Sequence, residues 1–357
     1  MSTYIVLSTG GTGGHVYPAL SLAAELKKQG FITELVTDKR GVIYQESDYF
    51  DQVTILNLPK AQSILGKINQ AFSIGRHALR LMLRFAQQRP SMVVGFGGYT
   101  SAPVIVAAIL LRIPIIIHEQ NAVLGRVNRL MGIFARKIAL GMPVTRYAKA
   151  TKSVFIGNPV RQAILDVQGK TLPSEKIRLF VFGGSQGADL FSRIAPQAIA
   201  LLPSVMQEKL IIAHQVRDEI RDSTRAAYDH TKVHLESLQP FFSDMPNRLS
   251  QADLILGRAG AMTVTEISVV GRAAIFIPLK IAMDNHQYWN VKPMVDAGAA
   301  EMILETDLTP QLLADKLRVL IESAELRQAL AARIRQFCVP DSVEKFADLI
   351  KNELKDI

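Results

Sequence analysis

The sequence predicts an α/β protein made of two doubly wound parallel-sheet domains. An apolar run, Tyr4 to Leu7, leads into Gly10-Gly11-Thr12-Gly13-Gly14-His15 and then a helical pattern. The arrangement returns at Leu179 to Phe182, followed by Gly183-Gly184-Ser185-Gln186-Gly187. Strand, glycine turn and helix in that order open a parallel βαβ unit, whose ligands lie beyond the carboxyl ends of the strands. A chain of 357 residues also accommodates two cores of the usual ~100 to 200 residues each.

Composition narrows the partners. Lys and Arg total 41 against 32 Asp and Glu, a net charge of +9, which favours nucleic acid, a phosphorylated ligand or an anionic membrane face. The single cysteine, Cys338, excludes an internal disulfide and a cysteine metal cage. The apolar runs Ala102 to Leu111 and Ile113 to Ile117 are broken by Arg112 and Pro114, well short of the ~20 residues a bilayer span needs. No transmembrane helix is expected. Met1 to Leu7 leads directly into the glycine turn without a signal-peptide core, so the expected location is the cytoplasmic side.

After the first turn, Ala19, Leu20, Leu22, Ala23 and Leu26 recur at helical spacing, Gly30 stands at the C-cap position, and Ile32 to Thr37 reads as a strand. The third glycine of a dinucleotide fingerprint would fall on Val16, and no Gly-Lys-Ser/Thr follows, so neither a nicotinamide nor a Walker A loop is indicated. What remains is a turn of unobstructed amides at a helix N-terminus, suited to an anion or simply to a tight connection, with the titratable His15 beside it.

From Ser63 to Arg89 there is no acid, and Ile64, Leu65, Ile68, Phe72, Leu79 and Leu83 alternate with Lys67, Arg76, Arg80 and Arg84. This pattern fits an interfacial helix on anionic lipid, or a core-facing helix with a basic solvated face. Nucleic acid is disfavoured, because Phe72 and Phe85 are the only aromatics and no recognition motif accompanies them. Further on, a strand from Ser91 to Val94 ends at Gly95-Phe96-Gly97-Gly98-Tyr99, and a buried strand from Pro114 to Ile117 stops at His118-Glu119-Gln120-Asn121. Lys137 to Leu140 and Ser153 to Phe155 are the last strands of this half, Gly157 to Arg161 reads as a hinge, and Gln168 to Lys176 as the linker. Strands of the second half are expected at Ile177 to Phe182, Leu210 to Ala213, Lys232 to Leu235, Asp253 to Leu256, Ala274 to Ile277 and Ala299 to Leu304. Its interruptions are Gly257-Arg258-Ala259-Gly260, leading into a helix with Thr263 and Glu266 on one face, and Asp284 to Asn290.

GGTGGHVYPAL, GFGGYTSAP, HEQNAVLGRVNR, GNPVR, GGSQGA, GRAGAMTVTEI and DNHQYWN, in that order along nearly the whole chain, resemble the MurG family of bacterial N-acetylglucosaminyltransferases, in glycosyltransferase family 28. The resemblance implies a GT-B fold, two Rossmann-like domains facing across a cleft: an acceptor domain over residues 1–162 and a donor domain over 163–340, with a last helix from Asp341 packing back on the first. It implies inverting transfer of N-acetylglucosamine from UDP-N-acetylglucosamine (UDP-GlcNAc) to the C4 hydroxyl of the muramoyl sugar of lipid I, giving lipid II and UDP in peptidoglycan synthesis.

Donor contacts then fall on Thr12, Gly13, Gly14, Asn121, Arg161, Ser185, Gln186, Phe242, on Ala261, Met262, Thr263, Val264, Thr265 and Glu266, and on Gln287. In that mapping Ser185 and Gln186 hold the pyrophosphate and Glu266 the ribose hydroxyls. The resemblance also favours the membrane reading of Ser63 to Arg89, on the cytoplasmic face of the plasma membrane, with cell-wall synthesis proteins as further partners it leaves open. No cofactor is implied, and without a DxD-like pair no metal is required. For the base that takes the acceptor proton, His15 stands first, since it titrates near neutrality beside the glycines, and Glu119 second, since it would need burial to raise its pKa. Alternatives are a UDP-GlcNAc 2-epimerase and a non-catalytic sugar-nucleotide-binding module.

Overall fold

A computed structural model describes residues 3–10, 13–45, 48–59, 63–170, 175–184 and 189–355. The chain divides into two compact units, residues 1–161 with 339–357, and residues 162–338. The polar stretch 168–176 read as linker thus lies within the second unit, and its residues 171–174 lie outside the described ones.

The first unit carries seven strands: β1 (Tyr4–Ser8), β2 (Ile32–Asp38), β3 (Gln52–Leu56), β4 (Met92–Gly95), β5 (Ile115–Glu119), β6 (Lys137–Leu140) and β7 (Ser153–Phe155). They form one parallel sheet in the order β3-β2-β1-β4-β5-β6-β7. Strand order reverses between β1 and β4, so their carboxyl ends splay around a crevice. The register aligns Ser8 with Gly95 and Gly95 with Ile117, which brings the segments after β1, β4 and β5 out at one edge.

Strand alternation fills both faces of this sheet. Ile5, Leu7, Val94 and Ile116 face one cluster, while Val6, Val93, Ile115 and Ile117 face another. The first cluster is closed by Phe346, Ala347 and Ile350 of the helix Ser342–Lys355. The second is closed by Leu81 and Phe85 of the helix Ile64–Gln87; a fully buried side chain of that size stabilises by ~1.5–3 kcal/mol. The opening helix, Gly13–Lys28, stops where Gly30 adopts φ +82. There Gly30 N–H bonds Lys27 O and Phe31 N–H bonds Leu26 O, a termination that only a left-handed residue permits cheaply.

The second unit repeats the plan with β8 (Ile177–Phe182), β9 (Leu210–Gln215), β10 (His234–Gln239), β11 (Leu254–Gly257), β12 (Ala273–Phe276) and β13 (Glu301–Met302). Its parallel order, β10-β9-β8-β11-β12-β13, places the reversal between β8 and β11. The strand expected from Lys232 begins at His234, and the one expected over Ala299 to Leu304 shrinks to two residues. β3 is not among the strands the sequence predicts: Gln52-Val53-Thr54-Ile55-Leu56 is an edge strand that alternates polar and apolar residues and offers no continuous apolar run.

Candidate active site

At the crevice of the first sheet, His15 lies in the opening turn of its helix, half-buried, with Nδ1 2.9 Å from Phe96 O and 3.2 Å from Gln120 Oε1. Residues from two further segments, those after β4 and β5, therefore converge on one imidazole. Gly97 and Gly98, at φ +87 and +77, let the chain after β4 turn sharply; a Cβ on Gly97 would stand 3.1 Å from Asn128 Nδ2. Among the described residues Nε2 of His15 has no hydrogen-bond partner. It is the ring atom available to a substrate. His118, two residues before Gln120, is fully buried, and burial pushes its imidazole down to about 3, so it stays neutral.

Glu119 is a different case, and the structure corrects its assignment as a reserve base. Its carboxylate is buried and takes four donors: Asn121 N and Nδ2 at 3.1 Å on Oε1, and Gly125 N at 2.7 Å and Asn128 Nδ2 at 2.9 Å on Oε2. A carboxylate has about four lone-pair directions, and all are taken. Glu119 instead pins the loop 120–128 to the end of β5 and holds Asn121 in place. Arg161 lies with its guanidinium carbon 4.3 Å from the centre of the Tyr17 ring, on the helix that Gly13 and Gly14 open. Thr12 lies outside the described residues.

In the second unit, β11 delivers Gly257 and the turn to Gly260, the N-cap of the helix Ala261–Val270. Its N-cap is a glycine and supplies no side-chain cap, so the positive end of the helix dipole is suited to an anion. The turn is braced by Asn290, whose Nδ2 donates to Ala259 O at 3.0 Å, and by buried Arg258, which bonds Ile277 O and Glu305. Gln215, at the end of β9, accepts from Gly183 N at 3.1 Å and donates to Pro240 O at 3.0 Å. Asn290 and Gln215 escaped the sequence reading as braces. Asn290 stands in a quoted motif, but Gln215 is one polar residue ending an apolar run and carries no local signal.

Glu266 and Thr263 fall on one face of this helix, with Glu266 largely buried. Gln287 turns its Oε1 onto Leu279 N at 2.9 Å, which leaves its amide hydrogens to donate. Ala261 and Met262 are each 7% exposed, and Thr265 bonds back to Ala261 O. Burial takes the side chains of two assigned donor contacts, Val264 and Phe242, out of a ligand's reach. Val264 has no exposed surface and its N–H bonds Gly260 O, so it is a packing residue. The Phe242 ring is buried, edge-on to Phe180 at 5.3 Å and beneath Arg248 at 5.1 Å. That ring therefore offers no face to a ligand, whereas the ring of its neighbour Phe241 is exposed. Ser185 and Gln186 lie outside the described residues.

The helix Ile64–Gln87 starts at Ser63, whose side chain accepts from Gly66 N. It buries Ala78, Leu81 and Phe85 but exposes Leu65 (79%), Ile68, Phe72 (73%), Leu79 and Leu83. Those five fall at intervals of three, four and seven residues, one stripe of the helix, with exposed Lys67, Arg76 and Arg80 beside it. Only the backbone of Ile64 is described. Arg84, assigned to the same patch, turns inward instead: it pairs at 2.8 Å with Glu34, which is fully buried, and donates to Thr54 Oγ1 at 2.8 Å. Tyr4 and Thr54 donate to the same carboxylate. A buried carboxylate needs such neutralisation, and this claims Arg84 for the fold. Among the described residues no helix is long and apolar enough to cross a membrane.

Residues 5–140 match the glycosyltransferase family 28 N-terminal domain, and residues 178–352 the family 28 C-terminal domain. The chain is 39% identical over 361 aligned positions, 98% of its own length and 99% of the relative's, to the UDP-N-acetylglucosamine--N-acetylmuramyl-(pentapeptide) pyrophosphoryl-undecaprenol N-acetylglucosamine transferase of Caulobacter vibrioides. The crystal structure of Acinetobacter baumannii MurG superposes with a TM-score of 0.80 at 31% identity, covering 99% of this chain and 100% of that one. A putative UDP-N-acetylglucosamine 2-epimerase from Listeria monocytogenes, at TM-score 0.71 and 14% identity over 100% of this chain and 98% of its own, shares the fold alone. Two Rossmann-like units in the GT-B arrangement of elements, both domain models in order and this identity along almost the full length agree: the chain belongs to glycosyltransferase family 28.

Proposed function

We propose that the protein transfers N-acetylglucosamine from UDP-GlcNAc to the C4 hydroxyl of the muramoyl sugar of lipid I, with inversion, forming lipid II and UDP. The observation that carries the chemistry is the pinned imidazole at the switch point of the first sheet, with Nδ1 committed to Phe96 O and Nε2 open. Nε2 of His15 takes the proton of the C4 hydroxyl as its oxygen attacks C1 of the donor sugar from the face opposite UDP. The C1–O bond to the β-phosphate breaks, and its electron pair leaves with UDP. Positioned general-base catalysis of this kind contributes about 10²- to 10⁴-fold.

The leaving diphosphate acquires charge, so it needs fixed donors that require no reorganisation. The helix N-terminus from Gly260 to Thr263 is suited to that task, with Arg161, Ser185 and Gln186 assigned to it from their motifs. Glu266 accepts from the ribose hydroxyls, and Gln287 donates to the donor sugar. Gly13, Gly14 and Asn121 complete the donor contacts, Asn121 being held by Glu119. Residues 1–162 serve the acceptor and residues 163–340 the donor.

The helix Ile64–Gln87 rests on the anionic cytoplasmic face of the plasma membrane. Leu65, Ile68, Phe72, Leu79 and Leu83 enter the interface and Lys67, Arg76 and Arg80 meet lipid phosphate. Incubation of the protein with labelled UDP-GlcNAc and a lipid I analogue tests the reading: label on the lipid supports it. Epimerised or untouched donor in the presence of folded protein contradicts it.

A further inference from the structure

The Phe96 carbonyl meets two donors, His15 Nδ1 at 2.9 Å and Gln120 Nε2 at 3.0 Å. Gln120 Nε2 also lies 3.1 Å from His118 Nδ1. An amide nitrogen carries two hydrogens and accepts nothing, so both hydrogens are spoken for, one on a carbonyl and one on a neutral ring nitrogen. That fixes which way the Gln120 amide points. Its Oε1, 3.2 Å from His15 Nδ1, is therefore an oxygen by necessity of the network rather than by choice of flip.

Nδ1 of His15 thus faces two oxygens that cannot donate. Whatever the charge of the ring, the hydrogen sits on Nδ1, and in the neutral ring the lone pair is left on Nε2. Free imidazole side chains favour the opposite tautomer, so the surroundings must impose this one. The imposing frame is itself held. Gln120 O accepts from Asn158 Nδ2 at 3.0 Å, and Asn158 O accepts from Ser342 Oγ at 3.0 Å. The His118 ring packs in a triangle with Phe96 and Phe346, at centroid distances of 5.4 and 5.2 Å, the two phenyl rings being 5.9 Å apart. A charged His118 would carry a hydrogen on Nδ1 and repel the Gln120 amide; its burial against both rings keeps it an acceptor.

We propose that Gln120 is a positioning residue: its amide, oriented by His118 and the Phe96 carbonyl, holds His15 as the Nδ1–H tautomer and so presents Nε2 to the acceptor hydroxyl. The proposal rests on the reading of His15 as the base. Partners that orient a metal-ligating imidazole change affinity or activity about 10- to 100-fold when removed, and a loss of that order is expected here.

The test is nitrogen NMR of protein labelled with 15N-histidine, the His15 resonances being identified by their loss in His15→Gln. The wild type is expected to show Nδ1 protonated and Nε2 bare at a pH where the ring is neutral. In Gln120→Leu the two shifts should move toward each other, with kcat down about 10- to 100-fold and the UDP-GlcNAc KM little changed. An Nε2–H tautomer in the wild type overturns the proposal, and that measurement needs no variant to fold. An unaltered tautomer and unaltered kcat in Gln120→Leu overturn it too. Near-normal kcat in His15→Gln, beside an Nδ1–H wild type, removes the base assignment alone and leaves the tautomer assignment standing.

Discussion

Replacing Glu119 by Gln separates a structural carboxylate from a chemical one. The native side chain receives two donors on each oxygen, two of them main-chain amides, in a site 2% exposed. Glutamine keeps one oxygen and sets an amide nitrogen against the other two donors. Two charge-assisted hydrogen bonds are lost, each worth ~1.5–3 kcal/mol, so the expected cost is about 3–6 kcal/mol. For a unit of this size that is roughly 10 °C in Tm. Thermal unfolding followed by circular dichroism, beside turnover well below the midpoint, reads both quantities. Stability should fall first, with activity lost only as the loop 120–128 loosens and Asn121 leaves its place. An unchanged Tm with kcat down a hundredfold would refute this, and would return Glu119 to the chemistry.

The exposed stripe on Ile64–Gln87 predicts that reversing Lys67, Arg76 and Arg80 to Glu releases the protein from anionic vesicles. At ~1 kcal/mol per cation the loss is about a hundredfold or more in binding, measured by sedimentation, with turnover on a soluble acceptor retained. Arg84→Glu should instead unfold the first unit, since it places a second acid against buried Glu34. Glu266→Ala should raise the UDP-GlcNAc KM more than it lowers kcat; the opposite pattern in steady-state kinetics removes Glu266 from the ribose.

Acid should weaken both units. Burial lowers His118 and His214 from the ordinary histidine value to about 3. Below about pH 6.5 the unfolded chain therefore binds protons that the native one refuses. Stability falls as pH drops from that point toward 3, by about 2 kcal/mol per histidine between pH 7 and 5. Urea titrations across that range check it, and His214→Gln should flatten the slope of the second unit.

Much of the fold was legible because its signals are local. Apolar runs of four to six residues, each followed by a glycine turn or a polar cluster, mark most strands, and Gly30 ends its helix as its position implies. β3 offers no such run and stayed hidden. Of the site, the place of His15 in the opening turn of its helix was legible in the motif itself. Partner geometry was not. Whether Glu119 is a free acid or a saturated anchor depends on Gly125 and Asn128, and whether Arg84 meets lipid or the core depends on Glu34, fifty residues away. Helical spacing put Arg84 in the basic fringe, but a buried carboxylate on a neighbouring strand outweighs a place at the surface. Val264 and Phe242 show the same limit, since a motif names positions and packing decides which atoms of them are accessible.

Sugar transfer to a lipid-linked acceptor is the activity to measure. Purified protein, UDP-GlcNAc labelled in the sugar, and a lipid I analogue in vesicles are incubated together, and lipid is separated from nucleotide. Label is expected in the lipid fraction, joined to C4 of the muramoyl sugar in the inverted configuration, with one UDP released per sugar transferred. Label remaining on nucleotide, whether unchanged or epimerised at C2, while the protein retains its native circular dichroism, would contradict the proposed transfer.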